Sequence, residues 1–186
     1  MQISRNLKLV VPVYDGDDLR LSVYAEPLSR LAFEGSYKIL ARAWSDLNAA
    51  GIGSIGLMTT ASYVLKESAF ALYGEVDGTT RYHALSAEML RTATAIVPHA
   101  GSWQPAPYEN AKSAGLISED DSAIVESLIA FFTFASRMVD PHWGLVLRTA
   151  AQLNYGAQFT SLSCMEHITS LKTLTKAAGF GKPTTS

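Results

Sequence analysis

At 186 residues, with 48% apolar and 17% charged side chains and a net charge of −2, the chain can bury a full core as one globular domain, and its overall composition is that of a globular protein rather than a disordered one. That balance exerts no general pull on polyanions, so neither nucleic acid nor a membrane is expected as a partner. The single cysteine, Cys164, rules out an internal disulfide framework; together with a polar start, Met1 to Asn6, and an apolar run broken by Pro12, it points to a protein made and used in the cytoplasm.

Leu7 to Val13 and Leu19 to Ala25 are rich in Val, Leu and Tyr and flank Asp15-Gly16-Asp17-Asp18, which predicts an antiparallel hairpin within residues 1–26. Leu19, Leu21 and Val23 alternate with polar neighbours, and Pro12 implies that the first strand has a free edge. Two strands alone are marginal in water. The hairpin must therefore lie on helices, pair with another copy to give a homo-oligomer, or receive a strand from a partner. On this reading Val11, Val13, Leu19, Leu21 and Val23 are candidate partner-binding residues.

Ser29 can cap a helix whose seam is Phe33, Tyr37, Leu40, Trp44 and Leu47. Gly51-Ile52-Gly53 breaks the chain and Ser54 restarts a helix that runs to about Tyr73. GIGSIG has no following Lys-Ser/Thr and no preceding strand, so a turn between helices explains it better than a phosphate loop. Asp77-Gly78 is expected to turn the chain, and a helix from about Leu85 to Val97 is expected to close at Pro98. Residues 98–107, with three prolines, read as an extended connector anchored by Trp103, a further candidate contact residue. Pro107 and Gly115 bracket a short helix, Tyr108 to Ala114.

Asp121 to Met138 holds the longest apolar sweep and predicts the central helix, capped at Ser118, with Glu126, Ala130, Thr133 and Arg137 on its polar stripe. Its unbroken apolar part, about 14 residues, is shorter than the roughly 20 a membrane span requires. Pro141 forces a turn, His142 to Leu153 and Thr160 to about Leu174 are two further helices, and Lys176 to Ser186 reads as a flexible tail. The expected fold class is mainly α: a single domain over residues 1–175 of about six helices carrying an N-terminal β-hairpin, followed by the tail 176–186.

Catalytic signals are thin. Cys164 and His167 share a helix face, the arrangement of a nucleophile and its base, but no third group orients the pair; a buried thiol beside a half-exposed imidazole is the plainer reading. The four histidines have no metal-ligand spacing, Glu119-Asp120-Asp121 reads as a charge device at a helix start, and Asp15, Asp17 and Asp18 lack the distal Glu of a calcium loop. No cofactor, metal or catalytic residue is assigned.

Three passages together resemble the tail assembly chaperones of long-tailed, lambda-like bacteriophages. They are the hairpin leading through Pro27-Leu28-Ser29-Arg30 to Phe33; Trp103-Gln104-Pro105 with Glu119-Asp120-Asp121 and Phe131-Phe132-Thr133; and Gly156-Ala157-Gln158 with Thr160-Ser161-Leu162, Glu166 and Ser170-Leu171. Tyr155 stands where the family pattern leads one to expect Trp, and Gly51 to Gly56 is poorer in apolar anchors than expected. The resemblance implies a non-enzymatic role in the infected host cell. Such a protein binds the tape-measure protein, helps recruit tail-tube subunits and does not stay in the mature virion. It further implies a programmed −1 frameshift near the end of the reading frame, with Gly181-Lys182 the favoured position and Lys176 the weaker one. A phage neck or tail structural or accessory protein is the alternative, and a small enzyme using Cys164 and His167 comes third.

Overall fold

The computed structural model of the chain describes residues 7–50, 58–138 and 149–177. Five strands form one sheet: β1 (Lys8–Asp15), β2 (Asp18–Ala25), β3 (Ala93–His99), β4 (Ser102–Pro107) and β5 (Gln158–Thr160), in the order β4-β3-β2-β1-β5. Every neighbouring pair is antiparallel. The helices are α1 (Arg30–Gly35), α2 (Tyr37–Ala49), α3 (Ala61–Arg91), α4 (Tyr108–Ser113), α5 (Glu119–Met138) and α6 (Cys164–Ala177), and residues 149–155 are also helical.

This overturns the mainly α architecture with a lone hairpin. The hairpin is present, but β2 pairs with β3 and β1 pairs with β5 over Lys8 to Val10, so it forms the middle of a sheet. The expected helix from Leu85 to Val97 divides. Helix α3 ends at Arg91, and Ala93 to His99 becomes β3, because β-branched residues begin at Thr92: Thr94 and Ile96 line one face of the strand, and Ala93, Ala95 and Val97 the other. The expected connector 98–107 is likewise extended, but pairs as β4. Its turn, Ala100-Gly101, has φ of 48° and 76°, the two positive values of a type I′ hairpin.

The pleat sorts the sheet's side chains into two cores. Leu9, Val11, Val13, Leu21, Val23, Ala25, Ala93 and Ala95 face the larger one, shared with α2, α3 and α5. Val10, Tyr24 and Ile96 face the opposite side, where Ile168 of α6 covers them and Trp103, Cys164 and Leu171 pack at the margin. Helix α5 is the spine of the larger core, as its sequence predicts. Every residue from Ser127 to Phe134 is buried, so Ala130 and Thr133 of the expected polar stripe are in fact interior, and the Thr133 hydroxyl bonds to the Ile129 carbonyl at 2.9 Å. Ser118 caps the helix: its Oγ accepts from the Asp121 N–H at 3.1 Å and donates to the Asp121 carboxylate at 2.5 Å.

Helix α3 is broken at Gly74, whose φ of 76° and ψ of 172° belong to a region that only glycine occupies readily. The break therefore falls before Asp77-Gly78. Gly78 is helical, and a Cβ there would come within 2.8 Å of the Ala69 carbonyl oxygen and the Phe70 Cα, so glycine is what lets the two halves of α3 touch. The seam expected from Phe33 to Leu47 is also divided, between α1 and α2, at Ser36. The last helix begins at Cys164, not Thr160, because Thr160 joins the sheet opposite Lys8 and Ser163 and Glu166 cap each other's backbone N–H. The Gly51–Gly56 break and most of both the expected His142–Leu153 helix and the expected tail lie outside the described residues.

Candidate functional site

Of the residues read as a partner-binding hairpin edge, Val11, Val13, Leu21 and Val23 are buried in the larger core and Leu19 is half-buried. The physical reason is twofold: α2, α3 and α5 cover this face of the sheet, and β3 and β5 take backbone rows that a partner's strand would have needed. Trp103 is half-buried beside the Val10, Tyr24, Ile96 and Ile168 cluster, so its indole is partly committed to packing.

Cys164 and His167 lie on the first turn of α6, three residues apart. Burial, then the charge of Glu26, pushes the Cys164 thiol up, and burial pulls the His167 imidazole down. Both shifts oppose a thiolate–imidazolium pair. Among the described residues no group of His, Cys, Asp and Glu is placed to hold a metal ion, and no helix is long and apolar enough to cross a membrane.

Two further features stand out. The first is a polar strut between α4 and α5. Glu126 Oε1 accepts from Lys112 Nζ at 2.7 Å, Ser122 Oγ at 2.7 Å and the Tyr108 hydroxyl at 3.2 Å, and Tyr108 also lies 3.0 Å from Ser122 Oγ. Burial pushes the Tyr108 hydroxyl well above the usual phenol range, with the Glu126 charge adding to it and the Ser122 bond opposing it. Tyr82 of α3 is raised by burial first and by Glu126 next. An oxygen that already has three internal donors holds helices together and is not free to take a proton from a substrate. A second tie runs from the sheet: Arg20 of β2 meets Asp121 at 2.5 Å. Burial raises the Asp121 carboxyl, but the bonds from Ser118 and Arg20 outweigh it and hold the group below its usual range.

The second feature is an apolar facet at α1. Its start is fixed by Ser29, whose Oγ accepts from the Ala32 N–H at 3.2 Å. Yet α1 buries none of its own residues: Leu31 is 82% exposed, and the half-buried Phe33 meets the exposed Tyr37 ring edge-on at 6.0 Å. The sequence alone could have flagged Leu31, which falls outside the seam assigned to this helix.

Aromatic and aliphatic side chains on a helical corner suit the apolar face of another helix better than a small polar substrate. No protein-family model matches the chain, and no curated protein or solved structure is significantly similar to it.

Proposed function

We propose that the chain is a non-catalytic tail assembly chaperone of a long-tailed bacteriophage. It binds the apolar, helical tape-measure protein in the host cytoplasm, helps tail-tube subunits gather on it, and is left behind when the virion is complete. The sequence resemblance suggests the role. The observation that carries it is the corner between α1 and α2, where Leu31 of α1 and Tyr37 of α2 are exposed apolar side chains and Phe33, which packs against the larger core, also meets the Tyr37 ring. The shifts at Cys164 and His167 support a non-enzymatic reading, since each disfavours the charged form that catalysis by such a pair needs.

The role is tested by co-expressing the chain with the tape-measure and tail-tube proteins encoded beside it and capturing it by an affinity tag. Recovery of the tape-measure protein, together with a minority longer product of the same gene whose mass fits a −1 slip at Gly181-Lys182 or Lys176, is the expected result. If the tape-measure protein is not captured and the gene has no slippery heptamer over those codons, the reading is wrong. The neck or tail structural alternative would then be tested by looking for the chain in purified virions.

A further inference from the structure

Two sequences in the chain, Asp15-Gly16 and Asp77-Gly78, place a carboxyl one residue before a glycine nitrogen. With no Cβ on the second residue, that nitrogen is the least hindered backbone nucleophile a side-chain carboxyl can meet. The same chemistry is latent in both pairs, and the fold decides which of them can use it.

At the tip of the hairpin, Asp15 and Asp18 close the β1–β2 ladder, and Gly16 and Asp17 form the two-residue loop between them. Gly16 has a φ of 60° and Asp17 a negative one, the pattern of a type II′ turn, which keeps the Gly16 nitrogen out of the ladder. Among the described residues no acceptor engages its N–H. Asp15, Gly16, Asp17 and Asp18 are all exposed, and a Cβ placed on Gly16 would meet nothing within 4 Å. To reach Gly16, the Asp15 carboxyl needs its own backbone to rotate out of the extended conformation. The ladder resists this least here, because Asp15 with Asp18 is the terminal pair and lies just past the register shift at Val13–Tyr14.

Asp77-Gly78 is held in the opposite way. Both residues are helical, so their dihedrals are fixed, and Gly78 is buried. A Cβ on Gly78 would sit 2.8 Å from the Ala69 carbonyl oxygen and the Phe70 Cα, which leaves no space beside its nitrogen for a ring to close.

We infer that Asp15 is a site of spontaneous isoaspartate formation in the folded protein and that Asp77 is protected from the same reaction. The Gly16 nitrogen attacks Cγ of the neutral Asp15 carboxyl. The new C–N bond forms, the C–OH bond breaks, and the hydroxyl leaves with the amide proton as water. A second water then opens the cyclic imide. Addition at the side-chain carbonyl restores aspartate, whereas addition at the main-chain carbonyl breaks the original peptide bond and leaves the chain running to Gly16 through Cγ. One water is lost and one gained, so the mass is unchanged and no oxidant or cofactor is required. The product has an extra backbone methylene at the β1–β2 turn, and the inference does not depend on the chaperone role.

The test is to incubate the full chain at physiological temperature in mildly acidic buffer, folded and in urea, and to digest samples with an endoproteinase that cleaves before aspartate but not before isoaspartate. Mass spectrometry then maps the uncut sites. In the folded protein isoaspartate is expected to accumulate at Asp15 about tenfold or more faster than at Asp77, and in urea the two sites should react at similar rates. Asp15→Glu, which would have to close a larger ring, should remove the signal at the hairpin tip with unchanged circular dichroism. No isoaspartate at Asp15 in the folded protein, equal rates at the two sites before unfolding, or a preference for Asp15 that persists undiminished in urea would overturn the inference.

Discussion

Replacing Glu126 measures how much of the helical layer depends on one carboxylate. Glu126 is 22% exposed and its partner Lys112 39% exposed, so their 2.7 Å ion pair is partly screened and is worth about 1 kcal/mol. Glu126→Gln keeps an acceptor for Ser122 and Tyr108 and loses only that term, which sets its cost at about 1 kcal/mol. Glu126→Leu removes the acceptor as well. Summing three lost bonds would overstate the damage, because the Ser122 and Tyr108 hydroxyls lie 3.0 Å apart and can satisfy each other, while Lys112 can turn to water. One buried donor is left without a partner, at about 1–3 kcal/mol, for a total of about 2–4 kcal/mol. Urea unfolding followed by far-UV circular dichroism reads both values, and a cycle with Lys112→Met should return a coupling near 1 kcal/mol. A Glu126→Leu protein as stable as the native one, or a Gln variant as damaged as the Leu variant, would refute the strut.

Gly78→Ala should destabilise by about 1–3 kcal/mol in the same assay, because its Cβ would press at 2.8 Å on the Ala69 carbonyl and the Phe70 Cα, which are backbone and cannot swing aside. Ala100→Asn should instead stabilise by about 0.5–1 kcal/mol, because Ala100 holds φ at 48°, where Asn is the better residue. Burial chiefly, and Glu26 next, pushes the Tyr24 hydroxyl up to about 12, and it donates to the Leu162 carbonyl at 3.0 Å. Its folded value lies above the unfolded value of about 10, so its contribution is complete below pH 10 and is lost as pH rises through 12; Tyr24→Phe should flatten that alkaline limb in a stability–pH series.

The hairpin, the central helix, its Ser118 cap and the Pro107–Gly115 bracket were legible because each is local: a turn, a periodicity, a cap. The sheet was not, because its remaining strands lack a local signature. The run from Leu85 to Arg91 is made of strong helix formers and continues without punctuation into β3, so the only warning was the onset of β-branched residues at Thr92. In β4, Pro105 and Pro107 resemble a linker until they are placed on the outer row of an edge strand, where proline costs no ladder bond. At three residues β5 is too short for alternation to be read at all. For the site, hydrophobic alternation on the hairpin correctly announced a buried face but could not say that β3 would take one flanking row and β5 the first part of the other. The Glu126 strut joins α4 to α5 across a turn, and no spacing rule within one helix predicts it.

The proposed role is tested most directly by the solubility of the tape-measure protein when it is co-expressed with this chain or with its Leu31→Glu, Tyr37→Glu variant. Both positions are exposed, so the variant should fold and melt like the native chain. The native chain is expected to move the tape-measure protein from the pellet to the supernatant, and the variant to leave it in the pellet. A tape-measure protein that stays insoluble beside the native chain, or that the variant rescues equally well, would contradict the role assigned to the α1 facet.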